Sequence, residues 1–206
     1  MTPGVRRILA RLGWTGEPPA APTWVAYAIV PGDEVHNFVR RAQARVLARY
    51  RPGSLDDCPH ITIKQAFQVE ALEPAERYFD RLAGETEPFD LETDGVGRFE
   101  GHGIVYLGIR TDPRLEALRR RILADLSAQF GVRPYPLEDD RYRYHATLAS
   151  GLSEADAAAA LQALGDTGVG LRLRFDTLGL LCRTAGRRWV TYKRTALGRA
   201  EPRPSA

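Results

Sequence analysis

The segment Pro-His-Ile-Thr-Ile at residues 59–63 returns in altered form as Tyr-His-Ala-Thr-Leu at residues 144–148. In both segments a histidine is followed two residues later by a threonine, and an apolar residue comes after each of them. Side chains two residues apart on a β-strand point to the same face, so the histidine and threonine of each segment share one face. The spacing therefore predicts two motif strands, each with a polar His/Thr face and an apolar face turned to a core.

The rest of the chain predicts the same order of elements around each motif. In the first half, apolar patterning predicts strands at about 24–30, 60–68 and 88–98 and helices at about 33–50 and 73–84. In the second half it predicts strands at about 104–110 and 143–149, helices at about 113–130 and 153–164, and two last strands at about 170–182 and 188–195. The predicted fold is α+β, a duplicated β-α-β-α-β frame whose pseudo-two-fold symmetry places the motif strands across a central cleft.

The composition changes at both ends of this frame. Residues 1–23 are rich in proline near their end and are expected to form an N-terminal leader. Residues 24–195 are expected to form one bilobal domain, with its halves at about 24–100 and 104–195. Residues 196–206 contain two prolines and are expected to be a disordered tail.

The composition is compatible with a cytoplasmic protein and with a phosphate-bearing ligand. The net charge of +3 and the pI near 9.0 suit a phosphate-bearing ligand but fall short of a broad basic surface for nucleic acid. Cys58 and Cys182 are the only cysteines, so neither a disulfide framework nor a Cys-x-x-Cys metal site is expected. No apolar run approaches the roughly 18 residues of a membrane span. We expect a cytoplasmic monomer with no membrane partner.

Two facing histidines suit concerted acid–base catalysis. One neutral imidazole can take a proton while the other, charged, gives one, and each transfer is typically worth about 10²–10⁴ in rate. A threonine hydroxyl beside each histidine can donate a hydrogen bond to a non-bridging phosphate oxygen. One such histidine alone is more often structural than catalytic. Two matched copies favour a two-sided clamp on a phosphodiester, with no cofactor and no metal.

These paired motifs in a duplicated frame resemble the 2H phosphoesterase superfamily, which includes 2′-5′ RNA ligase-like proteins and 2′,3′-cyclic nucleotide phosphodiesterases. The resemblance covers about 24–195. It implies two RRM-like lobes around a positively lined groove, with metal-independent opening of 2′,3′-cyclic phosphates or cleavage and joining of 2′-5′ linkages. Carried over by motif, His60 and His145 would be the acid–base pair, and Thr62 and Thr147 would bind phosphate. Tyr144 stands where the family often has a proline.

Two basic residues near the motifs are further candidates for binding phosphate. Lys64 lies four residues after His60, so on a straight strand it would face the same cleft. Arg143 lies two residues before His145 and would share its face. The acidic residues 56 and 57 also lie close to Cys58 and His60, but Pro59 interrupts them and no matching ligands occur elsewhere, so no metal site is expected.

Aromatic residues offer weaker candidates for nucleotide contacts. Tyr27 or Phe67 could stack a base, and Trp189 or Tyr192 could line the groove, although aromatic residues on strands more often belong to a core.

Three functions remain open at this point. The leading one is a phosphodiesterase whose partners are RNA ends or small cyclic or 2′-5′-linked nucleotides. An RNA-binding module without catalysis is the first alternative, because RRM-like lobes bind single strands by stacking and basic surface. A cyclic phosphodiesterase for a small non-RNA metabolite is the second, since the charge of +3 is modest.

Overall fold

The computed structural model describes residues 23–53, 58–138, 142–184 and 189–198. The predicted leader, apart from Thr23, and the end of the predicted tail lie outside these residues. The described part of the chain contains eight strands and four helices, which confirms the α+β fold and the predicted order of elements. In chain order they are β1 Thr23–Ile29, α1 Asp33–Leu47, β2 Ile61–Val69, α2 Leu72–Glu85, β3 Phe89–Phe99, β4 Ile104–Ile109, α3 Pro113–Phe130, β5 His145–Ala149, α4 Glu154–Leu164, β6 Val169–Phe175, β7 Thr177–Thr184 and β8 Val190–Ala196.

The strand predicted at about 170–182 is two strands. It breaks at Asp176, after which the chain leaves β6 at the edge of one sheet and enters β7 inside the other. The Asp176 carbonyl accepts a hydrogen bond from the Leu197 amide over 2.8 Å. Apolar residues alternate on both sides of this break but change phase between Phe175 and Leu178, and the sequence prediction overlooked that change.

Two antiparallel four-stranded sheets form the two lobes. Their strand orders are β2-β1-β7-β8 and β5-β4-β3-β6, so the motif strands β2 and β5 are both edge strands. The lobes are not the two contiguous halves expected at about 24–100 and 104–195, because β3 joins the second sheet while β7 and β8 join the first. The helices also cross over: α2 and α3 contact strands of the first sheet, and α1 and α4 contact strands of the second.

Helix stripes and the inner faces of both sheets share one core. The helices bury apolar residues at helical spacing, as in Leu115, Leu118, Ile122 and Leu126 of α3. Asp112 caps the start of that helix by accepting from the Arg114 amide, and Gly131 ends it in the left-handed conformation. Such capping fixes where the loop toward the second motif begins.

A β-bulge interrupts the first motif strand. Ala28 of β1 lies opposite Thr62, but the next residue of β1, Tyr27, lies opposite Lys64, so β2 carries one extra residue there. Because the bulge shifts the alternation of faces, Lys64 points to the core side with Tyr27 while Thr62 points away from it. Among the described residues, no helix is long and apolar enough to cross a membrane.

Candidate active site

The two motif strands lie against each other where the lobes meet. β2 and β5 approach within 8 Å between Cα atoms. The Tyr142 hydroxyl, three residues before the second motif histidine, donates to the Thr62 carbonyl over 2.9 Å. On the other side, the Gln43 side-chain amide donates to the Thr147 carbonyl over 3.4 Å. Tyr142 thus ties the segment before the second motif to the strand of the first, and Gln43 ties the second motif to α1.

Each motif histidine is held in the same way. Nδ1 of His60 lies 2.9 Å from the Cys58 carbonyl oxygen, and Nδ1 of His145 lies 2.8 Å from the Arg143 carbonyl oxygen. In both cases the acceptor is the residue two positions earlier. A carbonyl oxygen only accepts, so Nδ1 carries the proton in each ring. Nε2 is therefore the nitrogen of each ring that can take up or release a further proton.

Both threonines lie on the sheet face that the helices leave uncovered, which we call the open face. Thr62 lies opposite Ala28, and Thr147 lies opposite Tyr106. Two residues earlier on the same face of the second sheet, His145 lies opposite Gly108. Ala28 and Gly108 add no bulk beside Thr62 and His145, whereas the Tyr106 ring forms a wall next to Thr147.

Aromatic rings surround the second histidine. The His145 ring packs edge-on against Phe99 at 4.9 Å between centroids and lies 5.5 Å from the Tyr106 ring. Phe99 and Tyr106 contact each other at 4.4 Å. Gly97 lies beside Tyr106 on the neighbouring strand, and a Cβ there would come within 2.8 Å of the Tyr106 ring. The Tyr106 ring beside His145 therefore occupies space that only a glycine at position 97 leaves open.

Arg143 lies where the sequence predicted it. It is exposed and two residues before His145, and its Nη1 donates to the Tyr106 hydroxyl over 3.4 Å. Among the described residues, no carboxylate lies within 4 Å of its guanidinium, so its charge is available to an anion.

Lys64 does not lie where the sequence predicted it. The expectation that Lys64 shares the face of Thr62 is wrong, because it assumed a straight strand and the bulge turns Lys64 inward. The side chain is 1% exposed, and Nζ donates to Glu138 Oε2 over 2.7 Å. Burial lowers the pKa of Lys64, and the hydrogen bond and charge of Glu138 oppose that shift. Because its ammonium group is buried and paired with a carboxylate, Lys64 is not available to bind phosphate.

Glu138 is the centre of a buried polar network that the sequence did not indicate. Its carboxylate also accepts from the Gln65 amide over 2.6 Å and from the Tyr135 amide over 2.8 Å. Its carbonyl accepts from Arg119, a fully buried residue of α3. Arg119 in turn donates to the Tyr144 hydroxyl over 3.1 Å. The network fixes the segment that leads into the second motif against the strand of the first.

Arg194 is a further basic residue that the sequence did not single out. It lies on β8 opposite Gly179, which lies opposite Ala28, so Arg194 shares the open face of Thr62. Its Nη2 lies 3.3 Å from Cys58 Sγ, two residues before His60. The period-two pattern of β8 could have separated it from Lys193, which points to the helices and pairs with Glu76 and Asp80.

The aromatic candidates divide between the two faces. Tyr27 and Phe67 belong to the core and contact each other at 5.7 Å, so the idea that they stack a base is wrong. Tyr192 points to the helix side, where its hydroxyl donates to Glu76. Trp189 packs against the open-face residues Ala26, Ala28 and Leu181 and is the one of the four that lies on the open face.

No group of three or more histidine, cysteine or acidic side chains suited to hold a metal ion occurs among the described residues. Residues 56 and 57, weighed above as metal ligands, lie outside them.

Comparison with known proteins places the chain among phosphoesterases. Residues 31–187 match the family model described as the 2′-5′ RNA ligase superfamily. Two bacterial relatives share the name "Putative phosphoesterase". The one from Bacillus cereus is 29% identical over 154 residues, 73% of this chain and 86% of that protein. The one from Oceanobacillus iheyensis is 25% identical over 175 residues, 84% of this chain and 96% of that protein.

Solved structures share the fold. E. coli LigT in complex with 3′-AMP aligns with a TM-score of 0.59 and 24% identity, covering 87% of this chain and all of that one. LigT in complex with NADP⁺ aligns with a TM-score of 0.60 and 24% identity, and the alignment covers 86% of this chain and 99% of that one. TT0787 of Thermus thermophilus aligns with a TM-score of 0.65 and 20% identity, and the alignment covers 85% of this chain and 98% of that one.

Proposed function

The chain belongs to the 2′-5′ RNA ligase superfamily, and on that premise we propose that it is a metal-independent phosphodiesterase that opens 2′,3′-cyclic phosphates or cleaves and joins 2′-5′ linkages. The substrates are RNA ends or small nucleotides. His60 and His145 are the acid–base pair, and Thr62 and Thr147 bind the phosphate. The observation that carries the proposal is the matched fixing of both rings through Nδ1, which turns Nε2 of each ring into the proton-exchanging atom.

The proton transfers balance without a metal. In hydrolysis, Nε2 of one histidine takes a proton from water, and the water oxygen bonds to phosphorus. The bond from phosphorus to the 2′- or 3′-oxygen breaks, and Nε2 of the other histidine gives a proton to that leaving oxygen. In ligation a 5′-hydroxyl replaces the water. No nucleotide triphosphate is consumed in either direction.

Hydroxyl and guanidinium donors stabilise the negative charge on the phosphate oxygens. Thr62 and Thr147 supply one donor from each motif. Arg143 stands beside the second histidine and Arg194 across the first sheet from Thr62. Positioned donors that face the charge developing in the transition state are usually the largest electrostatic contribution to catalysis. Crystal structures of E. coli LigT contain that protein in complex with phosphate and with 3′-AMP, which supports an anion site of this kind here.

Metal-free turnover tests this proposal. The protein is incubated, with and without EDTA, with 2′,3′-cyclic nucleotides, an oligonucleotide that ends in a 2′,3′-cyclic phosphate, and 2′-5′ oligoadenylate. His60→Ala and His145→Ala should each lower kcat by about 10²–10⁴. His102→Ala, in an exposed turn, is the matched control. Wild-type rates in both motif variants on every substrate that the parent protein cleaves would refute the mechanism.

The same assay separates the alternatives. RNA binding without turnover of any substrate would indicate a binding module. Turnover of a non-nucleotide cyclic phosphate added to the panel, without turnover of any of the nucleotide substrates, would indicate a metabolite phosphodiesterase, an alternative that the net charge of +3 keeps open.

A further inference from the structure

We propose that Trp24, Arg183 and Trp189 form a second binding position on the open face, and that it binds a nucleotide of a single-stranded RNA whose reacting phosphate lies at the two histidines. The proposal rests on the phosphodiesterase function above and extends it to the class of substrate, an RNA strand rather than a mononucleotide. We call the three residues the Trp-Arg-Trp row.

The row crosses three neighbouring strands. Trp24 of β1 lies opposite Arg183 of β7, and the pairing of Cys182 with Val190 brings Trp189 level with Arg183 on the third strand. The Arg183 guanidinium carbon lies 5.7 Å from the centre of the Trp24 ring and 5.2 Å from that of Trp189. A planar cation is thus flanked by two indole rings, and all three side chains are partly exposed.

The row shares the open face with the first motif. Val25 and Tyr27 of β1 are in the core, so Trp24 points to the other side, as Ala28 does opposite Thr62. Arg183 shares this face with Gly179, because the two are four residues apart on β7. The sheet between the row and Thr62 carries small residues, among them Ala26 and Ala28. Trp189 packs against this stretch at Ala26, Ala28 and Leu181, so the row extends along the sheet toward Thr62.

The distance along β1 between Trp24 and the residue opposite Thr62 favours an RNA strand over a single nucleotide as the ligand. Trp24 and Ala28 are four residues apart, which is about 13 Å along a strand. A stacked nucleic-acid strand rises about 3.4 Å per nucleotide. A nucleotide held at His60 does not reach Trp24 and Arg183 at the far end of the row, whereas one that lies roughly two to four nucleotides further along the chain does.

The chemistry of the row suits a base and a phosphate. Among the described residues no carboxylate lies within 4 Å of the Arg183 guanidinium, and its buried Nε has no hydrogen-bond partner. Thr191, opposite Leu181 on the same face, also has a buried hydroxyl without a partner. Indole rings stack on any base, and arginine adds charge and cation–π contact. A neutral or cationic metabolite would gain nothing from this charge.

Substrate length tests the proposal. The ratio of kcat/KM for a pentanucleotide ending in a 2′,3′-cyclic phosphate to that for 2′,3′-cyclic AMP should be about tenfold or more. Arg183→Met keeps the aliphatic stem between the indoles and should bring the ratio close to one. Arg77→Ala, which removes an exposed charge on α2, should keep it. A ratio that is equal in the parent and Arg183→Met proteins would overturn the proposal.

A binding measurement separates failure of the row from failure of the proposed reaction. An oligonucleotide that ends in a 3′-phosphate is titrated while tryptophan fluorescence is followed. If the protein turns over no substrate, quenching together with a loss of affinity of fivefold or more in Arg183→Met still supports the row. Equal affinity of the Arg183→Met and Arg77→Ala proteins refutes it, whatever the activity.

Discussion

Lys64 and Glu138 form a buried ion pair that joins the strand of the first motif to the segment entering the second. Nζ and Oε2 are 2.7 Å apart, and the side chains are 1% and 0% exposed. Glu138 is further fixed by two backbone amides, so the pair has good geometry and few unmet hydrogen bonds. The pair holds the two half-sites in register but contributes no group to the chemistry.

Removing one partner should therefore cost stability more than removing both. Glu138→Gln leaves a buried charged lysine, and we expect it to lower the free energy of unfolding by about 3–5 kcal/mol. Lys64→Met leaves the carboxylate with its two amide donors and should cost less. The double variant should be more stable than Glu138→Gln alone. Urea unfolding of the four proteins gives the coupling energy, and strictly additive effects would show that the two residues do not interact.

Lys64 should also leave a mark on the pH dependence of stability. Its pKa in the folded protein is lowered by burial, so between that pKa and the ordinary lysine value of 10.5 the unfolded chain binds more protons. Stability consequently rises with pH in this window. The difference in unfolding free energy between the parent and Lys64→Met proteins should move in favour of the parent as the pH rises toward 10.5. A difference that does not change with pH contradicts a lowered pKa.

Particular residues show how far the sequence predicts this molecule. The helices follow from apolar stripes, as in Leu115 to Leu126, and the motif faces follow from alternation, so Thr62 and Thr147 lie on the open faces as expected. Lys64 was misplaced because a bulge depends on pairing with β1, which local pattern does not encode. The exchange of β3 between lobes and the partners of Glu138 were missed for the same reason, because both depend on contacts between residues far apart in the sequence.

The two cysteines should differ sharply toward iodoacetamide. Burial raises the pKa of the Cys182 thiol to about 11, so at pH 8 about one molecule in a thousand carries the reactive thiolate. Cys58 is only half-buried and lies beside Arg194 and the backbone that holds His60. We expect alkylation of Cys58 alone in the folded protein, with loss of turnover.

Peptide mass mapping together with activity measurements checks this expectation. Inorganic phosphate should slow both modification and inactivation, and Cys58→Ala protein should keep its activity after treatment. Modification of Cys182 at a similar rate, or inactivation of the Cys58→Ala protein, would contradict it.

A single methyl group on Gly97 should disturb the second histidine from the neighbouring strand. The added Cβ would lie 2.8 Å from the Tyr106 ring, and the ring can yield only by moving from its place beside His145 and Arg143. Misplacing a catalytic group by about 1 Å costs up to about 10²-fold in rate, so we expect Gly97→Ala to lower kcat/KM by about 10–100-fold.

Gly32→Ala is the control, because its Cβ would meet nothing within 4 Å. Both variants should unfold within about 1–2 kcal/mol of the parent, since an exposed or single displaced side chain costs little more. If Gly97→Ala keeps full activity, the aromatic support of His145 by Tyr106 has no part in catalysis.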